Sequence, residues 1–424
     1  MAELRQNTWQ LDEWYAQAVA GNAGYNGEGQ MWMFGRNWEY QLTNSPAFMP
    51  NNPNSWRSSP VQLTAASGTW TGGANHPGGT TQAFGVKGDG SVWVWGKAGP
   101  VNSLGLNQPG NTTASSPKQV MAAPSGGYKS RVITGEGNLQ VSVTNNGEMY
   151  TWGQGNYGQL GLNLDGPSDW RKRSSPTQIP GTWSMNFTCN AHAVMAVKTD
   201  GTLWSWGRSQ VGELGLNVGN PNIKVSSPTL VGTDTTWSTT EGHCNIGPGS
   251  ATQAGCTKTD GTMWVWGWNG DAGVLGLSQS GGQTANARSS PTQLPGSTWG
   301  TVAGGNGSIA MSVKTDGTLW TWGDNQYGRL GLNEQGNHGT GDSYSSPKQV
   351  GTDTTWYRAW TTGNAQWATK TDGTLWVWGQ NNPKGLLGLN DQTNRSSPTQ
   401  LPGSWVKDAD NGFGGNRTML FKEL

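Results

Sequence analysis

The chain has 424 residues, a formal net charge of zero and 12% charged residues, about half of the usual share. Zero net charge excludes the basic excess typical of nucleic-acid binding, and no apolar run is long enough for a transmembrane helix. Three Cys and four His form no metal-ligand pattern. We expect the three Cys to be small buried apolar residues rather than a disulfide framework.

Residues 1–24 form a distinct N-terminal extension. Asp12 can cap a short helix in which Leu11, Tyr15 and Val19 lie on one side, and Gly21 can end it. We therefore predict two units, this extension and a repeat domain over 25–424. The helix is either an anchor to another subunit or a segment packed on its own domain.

The rest of the chain is an internal repeat with a period of about 57 residues. Its core phrase, Lys-Thr-Asp-Gly-Thr-Leu-Trp-x-Trp-Gly, occurs at 198–207, 314–323 and 370–379 and, with Met for Leu, at 258–267, with looser copies at 28–35, 87–96 and 145–153. Between copies come Leu-Gly-Leu-Asn, then Ser-Ser-Pro, then a single aromatic residue such as Trp299. Seven copies each of the core phrase, of Ser-Ser-Pro and of the single aromatic residue define the domain.

The sequence pattern of each repeat predicts four strands. Asp-Gly predicts a two-residue type I′ hairpin between an apolar strand and the alternating Leu-Trp-x-Trp strand. Ser-Ser-Pro opens an edge strand, and the single aromatic residue lies in the fourth. The recurring Lys residues, such as Lys198, flank the turns and are expected near solvent. Four-stranded sheets repeated in this way predict an all-β, seven-bladed β-propeller.

The two ends of the chain each carry part of one hairpin. Residues 416–422 resemble the strand before an Asp-Gly turn, and the first copy, at 28–35, begins with the strand after one. We therefore expect the last strand to pair with the first repeat and close the ring, which removes an exposed sheet edge.

The repeat resembles the regulator of chromosome condensation repeat. The segment 154–161, Gln-Gly-Asn-Tyr-Gly-Gln-Leu-Gly, and the segment 324–331 match its pattern. The resemblance covers about 25–424 and implies a seven-bladed propeller closed by strands from both termini. The family includes a guanine nucleotide exchange factor, ubiquitin-ligase modules, a plant UV-B photoreceptor and a bacterial β-lactamase inhibitor. The photoreceptor's Gly-Trp-Arg-His-Thr-like motif is missing here.

The style of the repeats is similar to that of repeat proteins encoded by tailed phages of aquatic bacteria. The likeness rests on near-identical copies, Ser-Ser-Pro-Thr-Gln linkers and the opening at 11–20. It implies a virion component on a phage tail or capsid surface.

Catalytic patterns are absent from the sequence. It has no phosphate-binding loop, no nucleophile elbow and no His-x-x-x-His pair. The recurring Asp residues, such as Asp316, have a structural explanation in the Asp-Gly turns. We therefore predict no enzymatic activity, no cofactor and no metal.

Tryptophan marks the candidate interaction residues. Of the 26 tryptophans, 18 fall on repeat landmarks and are expected to pack blade against blade. Among the others, six lie in the extension or in connecting loops and are candidate contacts: Trp9, Trp14, Trp38, Trp56, Trp170 and Trp268. For the loop members, burial under their own turns is an equally good interpretation.

The predicted function is that of a non-enzymatic virion structural or interaction protein. Its partners would be other virion proteins or a host surface receptor, without nucleic acid or membrane insertion. Its location would be the extracellular particle, after synthesis in the host cytoplasm. The alternatives are a free binding module, lectin-like or a protein inhibitor, and a guanine nucleotide exchange factor.

Overall fold

The structure is a computed structural model. It describes residues 31–36, 56–62, 70–75, 82–98, 103–108, 110, 112–122, 130–135, 139–144, 146–164, 171–218, 223–247, 253–280, 286–305, 309–334, 343–361, 364–381, 386–403, 405, 413–414 and 417–421. These residues contain strands and no α-helix. The predicted N-terminal helix and the boundary at residue 24 lie outside them.

The described strands join into seven four-stranded antiparallel sheets. Six sheets use four strands in chain order. Sheet one has β3 (Trp70–Asn75), β4 (Gln82–Lys87), β5 (Val92–Lys97) and β6 (Thr113–Met121). Sheet two has β7 (Ser130–Gly135), β8 (Leu139–Thr144), β9 (Met149–Gly153) and β10 (Arg173–Ile179). Sheet three has β11 (Trp183–Cys189), β12 (Ala193–Lys198), β13 (Leu203–Ser209) and β14 (Ile223–Leu230).

The next three sheets repeat this plan. Sheet four has β15 (Cys244–Ile246), β16 (Gln253–Thr257), β17 (Met263–Gly267) and β18 (Arg288–Gln293). Sheet five has β19 (Trp299–Gly305), β20 (Ile309–Lys314), β21 (Leu319–Gly323) and β22 (Tyr344–Gln349). Sheet six has β23 (Trp356–Thr361), β24 (Ala365–Lys370), β25 (Leu375–Gly379) and β26 (Arg395–Leu401).

The remaining sheet, called the terminal sheet, joins the two ends of the chain. It consists of β1 (Met31–Arg36), β2 (Trp56–Gln62), β27 (Phe413–Gly414) and β28 (Arg417–Phe421) in the order β2-β1-β28-β27. β1 pairs with β28 from Met31 opposite Phe421 to Gly35 opposite Arg417. The predicted pairing of the last strand with the first repeat is therefore confirmed.

The Asp-Gly turns differ from the type I′ prediction. In the turn after β12, Gly201 has a φ of +79°, whereas Asp200 is not among the residues with positive φ. Gly201 N donates to Lys198 O at 3.0 Å, and Lys198 N donates to Thr202 O at 2.9 Å. Three residues therefore form the loop, with Gly alone in the left-handed region. Asp200 Oδ1 accepts from Thr202 N and Oγ1, at 3.0 and 2.6 Å, which supports the structural role predicted for the recurring Asp.

The recurring Lys residues are half-buried over indole rings, which corrects the prediction that they lie near solvent. Lys198 Nζ is 3.9 Å from the ring centroid of Trp204 and 5.2 Å from that of Trp183. Equivalent stacks occur at Lys87, Lys258, Lys314 and Lys370. The aliphatic stem covers apolar surface while the ammonium meets the ring faces.

Landmark tryptophans tie neighbouring sheets together. The backbone N of Trp183, which begins sheet three, donates to Gly147 O in the turn of sheet two at 2.9 Å. The indole Nε1 of Trp206 donates to Gln159 O, also in sheet two, at 3.0 Å. The same bonds recur between later sheets, from Trp237, Trp299, Trp356 and Trp405 through the backbone and from Trp266, Trp322 and Trp378 through the indole.

The Leu-Gly-Leu-Asn loops contact the Ser-Ser-Pro strand of the following sheet. Asn163 has a φ of +52°, and its N donates to Ser226 O at 2.8 Å. Each Ser-Ser-Pro strand is the outer strand of its sheet, as predicted, and its Pro limits further pairing at that edge. We call the side with the Asp-Gly turns the turn face and the opposite side, with the Leu-Gly-Leu-Asn loops, the loop face.

The cysteines depart from the sequence-based expectation. Cys244 and Cys256 lie opposite each other in the β15–β16 pair, with Cα atoms 4.1 Å apart, and they form a disulfide. The strand register brings together two residues that no local motif marks as partners. Cys189 is buried and free, as expected. Within the described ranges, no helix is long and apolar enough to cross a membrane.

Candidate functional site

The six candidate tryptophans do not form one site among the described residues. Trp9, Trp14, Trp38 and Trp170 lie outside the described residues. Trp56 is the first residue of β2 and pairs with Arg36. Trp268, after β17, is half-buried, and its six-membered ring packs against Gly270 in its own loop. Their role as contacts stays a prediction.

The largest break in the repeat lies at the start of sheet four. Trp237 opposes Lys258 and Cys244 opposes Cys256, so the residues 238–243 stand opposite Thr257 alone. In sheet five the corresponding bulge is Gly300 alone, between Trp299 and Thr301. The first strand of sheet four is consequently short, and the segment 238–243 leaves the sheet on its turn-face side.

This segment brings three distant charged residues together, which we call the central ion cluster. Glu241 Oε1 lies 2.8 Å from Arg358 Nη2 on β23 and 3.3 Å from Arg131 Nε on β7. The three side chains are 10 to 18% exposed. Since they come from sheets two, four and six, the first strands of these sheets must surround a common centre.

Backbone contacts hold both arginines in place. Arg131 Nη1 donates to the carbonyls of Met185 and Phe187 on β11, at 2.8 and 2.9 Å. The Arg358 guanidinium lies over Gly242, where a Cβ atom would be 3.3 Å from Nη2 and φ is +81°. Glycine at position 242 therefore allows both the backbone conformation and the close approach of Arg358.

His243 completes the inner wall of the cluster. Its Nδ1 is 2.7 Å from Thr257 Oγ1, and the neighbouring carbonyl of Gly242 accepts from Val302 N at 2.8 Å. Burial, together with the positive charge of Arg358, lowers the pKa of His243 to about 4. The imidazole is therefore neutral at neutral pH.

A cleft of about 810 Å³ opens on the turn face beside this cluster. Its walls are the segment 240–243 of sheet four, the β20–β21 turn of sheet five and the start of β23 in sheet six. Tyr357 is the extra residue of the bulge between Trp356 and Arg358, and it is 39% exposed. At the corresponding position in sheet five, Gly300 has no side chain, and a Cβ atom there would meet Val313 O at 2.7 Å. The same bulge position therefore carries Gly in one sheet and an exposed Tyr in the next.

Sequence reasoning missed Arg131, Glu241 and Arg358, as well as Tyr357. A signal was available, because the interval from Trp237 to the next apolar strand is longer than in the other repeats. In the described part of the chain, no group of three or more His, Cys, Asp and Glu side chains could hold a metal ion.

The fold and the repeats are those of an RCC1-like β-propeller. The family model of the regulator of chromosome condensation (RCC1) repeat matches residues 146–195 and 316–356. Over these residues the chain is similar to the RCC1 repeat, and the curated relatives are similar to it over a longer stretch.

Two curated relatives illustrate the range of the family. The E3 ubiquitin-protein ligase HERC2 of Mus musculus is 29% identical over 319 residues, which are 73% of this chain and 6% of that protein. The ultraviolet-B receptor UVR8 of Arabidopsis thaliana is 27% identical over 290 residues, which are 68% of this chain and 60% of the receptor. The match therefore spans a small part of the ligase and less than two thirds of the receptor.

Solved structures support the fold. Human WBSCR16 superposes with a TM-score of 0.72 at 18% identity, over 94% of this chain and 99% of the other. Prp20p from Saccharomyces cerevisiae, described with its binding properties to Gsp1p and histones, has a TM-score of 0.71 at 16% identity, over 94% and 93% of the two chains.

Proposed function

We propose that this protein is a non-enzymatic binding module whose seven sheets are the blades of one closed ring, and that a protein partner docks on the turn face. Three contacts support closure: the β1–β28 pairing, the bond from Trp405 N to Gly373 O, and the central ion cluster. The repeat domain over 25–424 is then one propeller.

The break in the repeat at 238–243 is the observation that favours the turn face as the docking surface. The tryptophan bonds between sheets recur along the chain. Because they recur, we assign them a structural role. The segment 238–243 departs from this regularity, reaches sheets two, five and six, and forms a wall of the cleft. A local departure from a regular scaffold is where binding residues are usually placed.

The test is affinity capture from an extract of the source with three immobilised variants. Thr259→Arg and Thr371→Arg place a bulky charge on the turn face, and Val218→Arg places one beside a Leu-Gly-Leu-Asn loop on the loop face. We expect a protein that the wild type and Val218→Arg retain and that both turn-face variants lose. Loss with Val218→Arg alone would overturn the choice of face, and failure to retain any protein would overturn protein binding.

The partner class that we propose follows the resemblance to phage repeat proteins. The partners would be other virion proteins or a host surface receptor, and the protein would reside on a phage tail or capsid surface. Mass spectrometry of purified particles tests this. Detection in stoichiometric amounts is expected, and absence from the particles would exclude a virion role while leaving the binding module intact.

A further inference from the structure

We propose that the cleft on the turn face binds an uncharged carbohydrate. The inference goes beyond protein binding, because it assigns a ligand class to a cavity and stands without a protein partner. The volume of the cleft, about 810 Å³, lies within the range of small-molecule sites, about 300–1,000 Å³.

The charged groups of the cleft are paired within the protein. Two acidic and two basic side chains line it: Glu241, Asp316, Lys314 and Arg358. Glu241 accepts from Arg358 at 2.8 Å, and Asp316 Oδ1 accepts from Thr318 N and Oγ1 at 3.0 and 2.6 Å.

Lys314 and His243 add no charge that requires a partner from the ligand. Lys314 Nζ lies 4.4 and 4.5 Å from the ring centroids of Trp299 and Trp320. His243 is neutral at neutral pH because burial and Arg358 lower its pKa to about 4. A charged ligand would have to compete with these internal pairs, whereas a neutral ligand leaves them intact.

Hydroxyl groups make up most of the remaining polar lining. Thr240, Thr315, Thr354 and Thr371 are exposed at the cleft, and no hydrogen bond joins their hydroxyls to another described residue. Each hydroxyl can donate and accept, which suits the hydroxyl groups of a sugar.

An aromatic platform supplies the apolar side of the site. Tyr357 is the extra residue of its bulge and lines the cleft together with Gly300. Tyr357 is 39% exposed and offers aromatic surface to the C–H groups of a sugar ring. Charged groups that already have partners within the protein, hydroxyls and one exposed aromatic residue together match a neutral saccharide.

The test is saturation-transfer NMR and calorimetry with maltotetraose, cellotetraose and chitotetraose, and with 3′-sialyllactose and a heparin tetrasaccharide as charged comparators. We expect at least one neutral tetrasaccharide to bind and to outcompete the charged ones. Tyr357→Ala should weaken that binding by about tenfold or more. Absence of binding by all three neutral probes, or preference for a charged probe, would overturn the proposal.

Matched threonine variants separate the cleft from the general surface. Thr371→Val should weaken binding by about threefold, because a valine keeps the shape and removes the hydroxyl. Thr199→Val changes the same repeat position in sheet three, outside the cleft, and should leave affinity unchanged. Equal weakening by both would overturn the assignment to the cleft. If Tyr357→Ala does not fold, the comparison of Thr371→Val with Thr199→Val tests the proposal instead.

Discussion

Arg358 Nη2 donates to Glu241 Oε1 over 2.8 Å, although the two residues are 117 positions apart. The carboxylate also meets Arg131, so a single acidic side chain serves guanidinium groups from two other sheets. Both arginines are about nine-tenths buried, and neither has a local acidic partner in its own strand. Stability of the propeller is therefore coupled to this carboxylate.

Glu241→Gln keeps the shape of the side chain and removes its charge. Because this removes a carboxylate charge beside two largely buried guanidinium groups, we expect a loss of about 3 kcal/mol in the free energy of unfolding. Urea denaturation measures it. Asp234→Asn is the matched control, since its 51%-exposed carboxylate pairs with Lys258 at 2.7 Å and should contribute less than about 1 kcal/mol. Equal losses in both variants would contradict the role of burial.

Trp206→Phe removes an indole N–H that bonds the preceding sheet. Trp206 is fully buried, and the change leaves the Gln159 carbonyl without its donor, so we expect a loss of about 2 kcal/mol. Trp204→Phe, on the same strand, removes a bond to Thr202 Oγ1 and reduces the half-buried ring that Lys198 covers, and both contacts lie within sheet three. Its loss should stay below about 1 kcal/mol. Thermal unfolding compares the two, and the reverse order would refute the inter-sheet role of the indole.

His243 makes stability depend on pH. Its pKa is lowered from 6.5 to about 4, so the unfolded chain binds the proton more tightly than the folded chain. The contribution of neutral His243 to the free energy of unfolding is fully present above about pH 6.5. It is lost as pH falls towards 4, and the total loss is roughly 3 kcal/mol. His243→Asn should flatten the difference between stability at pH 7 and at pH 4.5, as measured by urea unfolding at each pH. An unchanged pH dependence would show that His243 titrates normally.

Thiol titration tests the cysteine pairing. The Cys244–Cys256 disulfide leaves Cys189 as the free thiol, and burial raises its pKa to about 12. A thiol reagent should therefore modify no cysteine in the native protein without reductant, and Cys189 alone after denaturation. Peptide mapping identifies the modified residue. Labelling of Cys244 or Cys256 in the denatured, unreduced chain would contradict the disulfide.

Much of the fold could be predicted because its determinants are local and repeated. The Asp200-Gly201 pair marks a turn, and alternation in Leu203–Gly207 marks a strand with Trp204 and Trp206 on one side. The predicted turn type was wrong, since the Asp200 carboxylate accepts a hydrogen bond from Thr202 N and Asp200 does not adopt a positive φ. The local sequence identifies that a turn exists, while the hydrogen bonds of the flanking strands select its type.

The candidate site was not predictable in the same way. The sequence by itself determined the repeated strands, the pairing of the chain ends and the burial of landmark residues such as Trp322, because each follows from a repeated pattern that is visible along the chain. Only the tertiary structure decided the Glu241–Arg358 contact, the Cys244–Cys256 pair and the exposure of Tyr357. These depend on strand register, on one bulge and on the convergence of first strands from separate sheets, which no short-range pattern encodes.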